Sequence, residues 1–181
     1  KAVIVKVEKK QKKTMPPKLY DLTTLQREAN RFFGYTAQET LQELQELYED
    51  KLVTYPRTDS QYITEDMEQS TMELLEVLPE ILPFLEGNMG YDVGRIINND
   101  KVSDHHALLP TKESVKKGFS QLTEKQRNLY CMIGQRLAQA VSKECTYEET
   151  QITVQCAGHE FMAKGKRMTE PGFWKIATGF R

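Results

Sequence analysis

No apolar run in this 181-residue chain approaches the ~20 residues that a membrane-crossing helix needs. The opening KAVIVKVEKK has too short an apolar stretch for a signal peptide and no small-residue cleavage pattern. No membrane role is expected, and the chain reads as cytoplasmic, or as cut from a larger intracellular protein. Cysteine is scarce. Cys131, Cys145 and Cys156 are odd in number and widely spaced, which argues against a disulfide framework and against a CxxC zinc site. Cys156 with His159 makes half a metal site at most, and a strand residue beside a turn histidine is the commoner arrangement. Net charge is nearly absent as well, and a balance of −1 does not advertise nucleic-acid binding.

The near-zero average hides an asymmetry. Seven lysines stand against Glu8 between Lys1 and Lys18, whereas Thr58 to Gly94 is acidic and holds no Lys or Arg. A lysine-rich segment either binds phosphate or is a solvated loop. Hydrophobic content of 39% and charged content of 28% are those of a globular chain, long enough for one good core or a domain with a partial second one. There is no internal repeat.

Alternation at Val3, Val5 and Val7 predicts a strand buried mostly on one face, and KKQKKTMPPK then reads as a linker. In DLTTLQREANRFFGY, Thr23 or Thr24 caps a helix and Gly34 ends it. Thr36 and Glu39 form a capping box for a second helix with Leu41, Leu44, Leu47 and Tyr48 on its apolar face. A third helix starts at Thr64, and Pro79 and Pro83 chop the segment after it into short pieces. LTEKQRNLYCMIGQRLAQAVS is a helix with a capping box at Thr123 and Gln126 and a stripe through Leu129, Met132, Ile133, Leu137 and Val141. From Thr146 the period drops to two, giving two strands around a turn near Ala157 and Gly158. The expected fold class is mixed α+β, with a mainly helical domain, 19–144, inserted between strands of a partial β domain, 1–18 and 145–181.

One short stretch stands out. In LVTYPRTDS, Leu52 to Ser60, a short extended run breaks at Tyr55, because Pro56 supplies no backbone donor and steers Tyr55 away from helix. Taken locally, this is either a nucleophile beside a phosphate clamp or a turn with a buried tyrosine and an Arg57–Asp59 ion pair. The turn is the commoner of the two, since turns collect Pro, Asp and Ser.

Two longer motifs bear on that choice. Pro16 to Met67, including TYPRTDS, resembles the active-site segment of the type IA DNA topoisomerases of bacteria. SDHHALLPT, Ser103 to Thr111, resembles a second motif of that family at a plausible distance downstream. The resemblance implies that Tyr55 attacks a DNA phosphodiester, forming a transient 5'-phosphotyrosyl bond, passing a strand and resealing without ATP. It implies that Arg57 grips the reacting phosphate, that Thr58, Asp59 and Ser60 complete the motif with Asp59 positioning Arg57, and that His105 lies near the DNA backbone. His106 either shares that role or packs. The flanking strands become parts of the hinge, or gate, domain. Magnesium would belong to an acidic TOPRIM domain of the full-length enzyme, whose DxDxE pattern does not occur here; no metal ligand is expected in this chain, and alone it should be inactive. The implied partners are single-stranded DNA and the remaining domains of the longer chain, in a bacterial cytoplasm at the nucleoid. Two other classes compete: a single-strand-binding module using residues such as Tyr62, Phe119 or Trp174, and a metal-dependent phosphoesterase reading Asp104, His105 and His106 as ligands.

Overall fold

A computed structural model describes residues 1–87 and 90–176. The last five positions of the expected β piece, 177–181, lie outside the described residues. Three long strands, β1 (Val3–Thr14), β2 (Cys145–Cys156) and β3 (His159–Glu170), form an antiparallel sheet in the order β1-β2-β3. Between β1 and β2 the chain builds α1 (Leu22–Phe33), α2 (Ala37–Glu49), α3 (Glu68–Val77), α4 (Lys112–Lys117) and α5 (Glu124–Ala140). The mixed α+β class expected from the sequence is the class observed.

The core belongs to the helices. Leu25 and Ala29 of α1, Leu44 and Leu47 of α2, Leu74 and Leu75 of α3, and Leu129, Met132, Ile133 and Leu137 of α5 pack into one cluster that also takes in Val141. The two predicted capping boxes are present: Thr36 and Glu39 bond each other's backbone amides at the start of α2, as Thr123 and Gln126 do at α5. On α2, however, Tyr48 turns outward and Thr40 takes a buried place. Two start signals fall elsewhere. Asp21, not Thr23 or Thr24, caps α1, its carboxylate accepting from the Thr24 amide at 2.6 Å. Thr64 makes no side-chain cap, and a 3-10 turn at Glu65–Met67 precedes α3.

The sheet departs most from expectation. Val3, Val5 and Val7 are at least half exposed, so β1 does not bury one face. The lysines of the predicted linker continue β1 as far as Thr14. Cross-strand charge pairing accounts for this: Lys9 meets Glu148 at 3.2 Å, Lys12 meets Glu149 at 2.6 Å and Lys13 meets Glu144. The acids beside β1 neutralise much of its basic run, which is therefore neither a loop nor a free phosphate patch. Ala157 (φ 51°) and Gly158 (φ 80°) make the tight β2–β3 turn, both with the positive φ that matches strand twist. The sheet joins the helical body through a 3-10 turn, Gly172–Ile176. There the Phe173 amide donates to the Lys143 carbonyl, and Gln135 of α5 donates to the Ile176 carbonyl at 2.8 Å.

Candidate active site

The two motifs lie side by side because the backbone of one is hydrogen-bonded to the other. After α2 the chain reverses at Lys51, in a left-handed conformation (φ 62°), and runs extended into Tyr55. The Thr111 amide donates to the Leu52 carbonyl, the Thr54 amide to the Leu109 carbonyl, and the Ala107 amide to the Tyr62 carbonyl, each near 3 Å. Where Pro56 interrupts this pairing, side-chain hydroxyls take over. The Thr54 hydroxyl accepts from the Leu109 amide at 2.9 Å and donates to the Ala107 carbonyl. The Thr58 hydroxyl accepts from the Ser60 amide and donates to the His105 carbonyl, both at 3.1 Å. Ser60 donates to the Lys101 carbonyl at 2.7 Å. The resemblance took in Ser60 only as a motif residue and nothing in the sequence flagged Thr54, although small hydroxyl side chains around a proline are the groups able to satisfy such a broken ladder.

This framework sets the geometry of Tyr55. Its ring is half-buried, tilted 36° against the His105 ring with centroids 4.2 Å apart, and the ring of Tyr48 meets it edge-on at 5.4 Å. Tyr48, predicted as core, is thus a wall of the tyrosine site. Its place in line with the apolar stripe of α2 hid that role in the sequence.

Beside His105 opens a cleft of about 410 Å³ lined by Arg57, Thr58, Asp59, Asp104 and the first residues of α1, Leu22 and Thr23. The Leu22 amide donates to the Thr58 carbonyl, fixing the start of α1 against the motif. Arg57 is exposed, and among the described residues no ion pair or hydrogen bond joins it to Asp59. The local alternative of an Arg57–Asp59 pair is therefore not formed. The guanidinium is left facing solvent in a cleft that also receives the positive end of the α1 dipole. Two carboxylates, Asp59 and Asp104, share that cleft, and Arg57 is the permanent cation among the side chains that line it.

Arg57, Thr58, Asp59 and His105 thus line one cleft, with His105 against Tyr55, whereas His106 does not line it and has its Nδ1 2.8 Å from the Ala107 carbonyl. Among the described residues no three His, Cys, Asp or Glu side chains come together as a metal-binding group. That leaves the phosphoesterase reading of Asp104, His105 and His106 without its ligand cluster. Cys156 and His159 are cross-strand neighbours at the β2–β3 turn. Among the described residues, no helix is long and apolar enough to cross a membrane.

Comparison with known proteins places this arrangement. The fold is similar to that of full-length topoisomerase I from Thermotoga maritima, with a TM-score of 0.75 over 99% of this chain and 30% of that one, at 24% identity. A family profile described as DNA topoisomerase matches residues 1–179, and the chain belongs to that family. The resemblance read from the two motifs is borne out. DNA topoisomerase 3 of Bacillus subtilis is 40% identical over 96% of this chain, and that of Bacillus licheniformis 41% identical over 99%. These alignments cover 24% and 25% of the relatives' own lengths, so the chain spans about a quarter of the curated relatives it matches.

Proposed function

We infer that this chain carries the strand-cleaving tyrosine of a type IA topoisomerase of the topoisomerase 3 kind. The observation that carries the reading is the packing of Tyr55 on His105 at 4.2 Å, beside a cleft into which Arg57 projects without an acidic partner. In the cleavage step the Tyr55 phenol oxygen bonds to phosphorus and the bond from phosphorus to the 3'-oxygen breaks. The phenolic proton is lost as the 3'-oxygen gains one, leaving a 5'-phosphotyrosyl bond and a free 3'-hydroxyl. Religation is the same path reversed, so no ATP is consumed. Arg57 offsets charge growing on the phosphate oxygens, and a His105 N–H donates to the adjacent backbone.

The donors of this chain do not fit magnesium, since no group of three ligating side chains occurs among the described residues. No step is routed through the metal. Magnesium and the acid that protonates the 3'-oxygen are assigned to a TOPRIM domain elsewhere in the longer polypeptide. The partners are single-stranded DNA and the other domains of that polypeptide, acting at the bacterial nucleoid. Strands β1 to β3, within 1–18 and 145–181, serve as part of the hinge, and 19–144 as the domain it swings.

The test is the covalent adduct. In a polypeptide as long as the curated relatives, labelled single-stranded DNA should form a denaturant-resistant complex that Tyr55→Phe abolishes while leaving strand binding nearly unchanged. The 181-residue chain alone should form none, because proton delivery is worth about 10² to 10⁴ in rate. Adducts that persist in Tyr55→Phe place the nucleophile elsewhere.

A further inference from the structure

Outside the cleft that holds Arg57, the ring of Tyr62 carries two ammonium groups, Lys18 Nζ at 5.4 Å and Lys101 Nζ at 5.2 Å from its centroid. Both lysines are exposed, and among the described residues neither has a carboxylate within 4.0 Å. This contrasts with β1, where Lys9, Lys12 and Lys13 each meet a glutamate. Two unneutralised cations held against one aromatic ring repel each other and favour an anion beside them.

The cluster is built on fixed backbone. The Lys101 carbonyl accepts from the Ser60 hydroxyl at 2.7 Å, the Tyr62 carbonyl from the Ala107 amide at 2.9 Å, and the Lys18 carbonyl from Arg136 at 3.2 Å. The first two of these bonds belong to the framework that aligns Tyr55 with His105. Tyr62 also lines a cleft of about 240 Å³ with Pro16, Pro17 and Arg95. That volume is below the ~300–1,000 Å³ of a pocket that encloses a whole ligand, and suits a single base. Both ammonium groups lie within 5.4 Å of one point and so within about 11 Å of each other, close enough to serve successive phosphates of one strand.

We propose that Tyr62, Lys18 and Lys101 form a second nucleic-acid subsite, in which one base of a single strand packs on Tyr62 while the lysines hold successive phosphates. This rests on the topoisomerase reading above and extends it by a contact outside the cleavage cleft. Aromatic stacking with flanking cations is how strands are held without regard to sequence. A free nucleotide offers the same chemistry, and the experiment separates the two sources.

Binding of a labelled oligothymidylate to the 181-residue chain is measured by anisotropy across a salt series. Each phosphate contact on a single strand contributes about 0.7 to the slope of log K against log salt, so the double variant Lys18→Ala, Lys101→Ala should lower the slope by about 1.4. Tyr62→Ala should weaken binding roughly 5- to 150-fold, while Tyr62→Phe, which keeps the ring, stays near wild type. Thymidine monophosphate at matched phosphate concentration should not compete; full competition would overturn the strand subsite in favour of a free-nucleotide site. Unchanged slope and affinity in the variants, or no binding by the wild-type chain, would also overturn it. Tyr55 adducts in the longer polypeptide are scored separately, so they survive if this subsite fails, and their absence leaves the slope result to stand or fall alone.

Discussion

Thr58→Val tests whether one hydroxyl holds the two motifs in register. Thr58 is 5% exposed, and its oxygen both accepts from the Ser60 amide and donates to the His105 carbonyl at 3.1 Å. Valine keeps the shape and removes both bonds. Each is worth about 0.5–1.5 kcal/mol net, and the Ser60 amide, in a residue only 4% exposed, is left without a partner. The expected loss is about 2–4 kcal/mol, which for a chain of this size lowers Tm by roughly 5–15 °C. Thr58→Ser is the control. It keeps the hydroxyl and gives up one buried methyl, at about 1 kcal/mol. Both variants are followed by urea and thermal unfolding of the 181-residue chain. In the longer polypeptide, Thr58→Val should also slow adduct formation, because the same bond holds His105 against Tyr55. A valine variant as stable as the serine variant would refute the reasoning, since the hydroxyl would then contribute nothing beyond its volume.

What the sequence disclosed depended on the range of the interactions involved. The α5 stripe and both capping boxes are local patterns, set by spacings of three and four residues, and the structure has them as read. The sheet misled because its stability is not local. Val3 to Val7 alternate as a half-buried strand would, yet pairing and charge hold β1 in place, and the glutamates that hold its lysines lie about 140 residues downstream. Helix starts erred by two or three residues where several capping side chains competed, as Asp21, Thr23 and Thr24 do. At the site, the chemistry-bearing residues were legible only through the resemblance, because turn residues and catalytic residues share a vocabulary. The supporting roles of Thr54, Ser60 and Tyr48 were not legible. Their roles exist only once Leu52 to Tyr62 lies along Ser103 to Thr111, a pairing across about 50 positions that no periodicity encodes.

The remaining predictions separate chemistry from scaffold. Arg57→Ala should slow cleavage and religation about 10² to 10³-fold, or roughly 2–4 kcal/mol, with little change in strand affinity, and His105→Ala should do less; single-turnover adduct kinetics against binding isotherms would show an affinity-only loss if the clamp role is wrong. Glu39→Gln addresses the junction of α2 and α5. The Lys125 ammonium at 2.8 Å, then the Thr36 amide at 2.8 Å and the Thr36 hydroxyl, hold the Glu39 carboxyl down to about 2 from an ordinary 4.5. A carboxylate whose pKa is lower in the folded state gives its full stabilisation above pH 4.5, loses it as pH falls, and gives none below about 2. Glutamine keeps an acceptor for the Thr36 amide and removes only the charge. Wild type should therefore be the more stable at pH 7, and its lead should shrink from pH 4.5 downward in Tm measurements made over the range where both chains still fold. Added salt at pH 7 should shrink the same lead, because the pair is exposed and screened. A lead that stays constant below pH 4.5 would mean that Glu39 acts through its shape in the capping box and not through its charge.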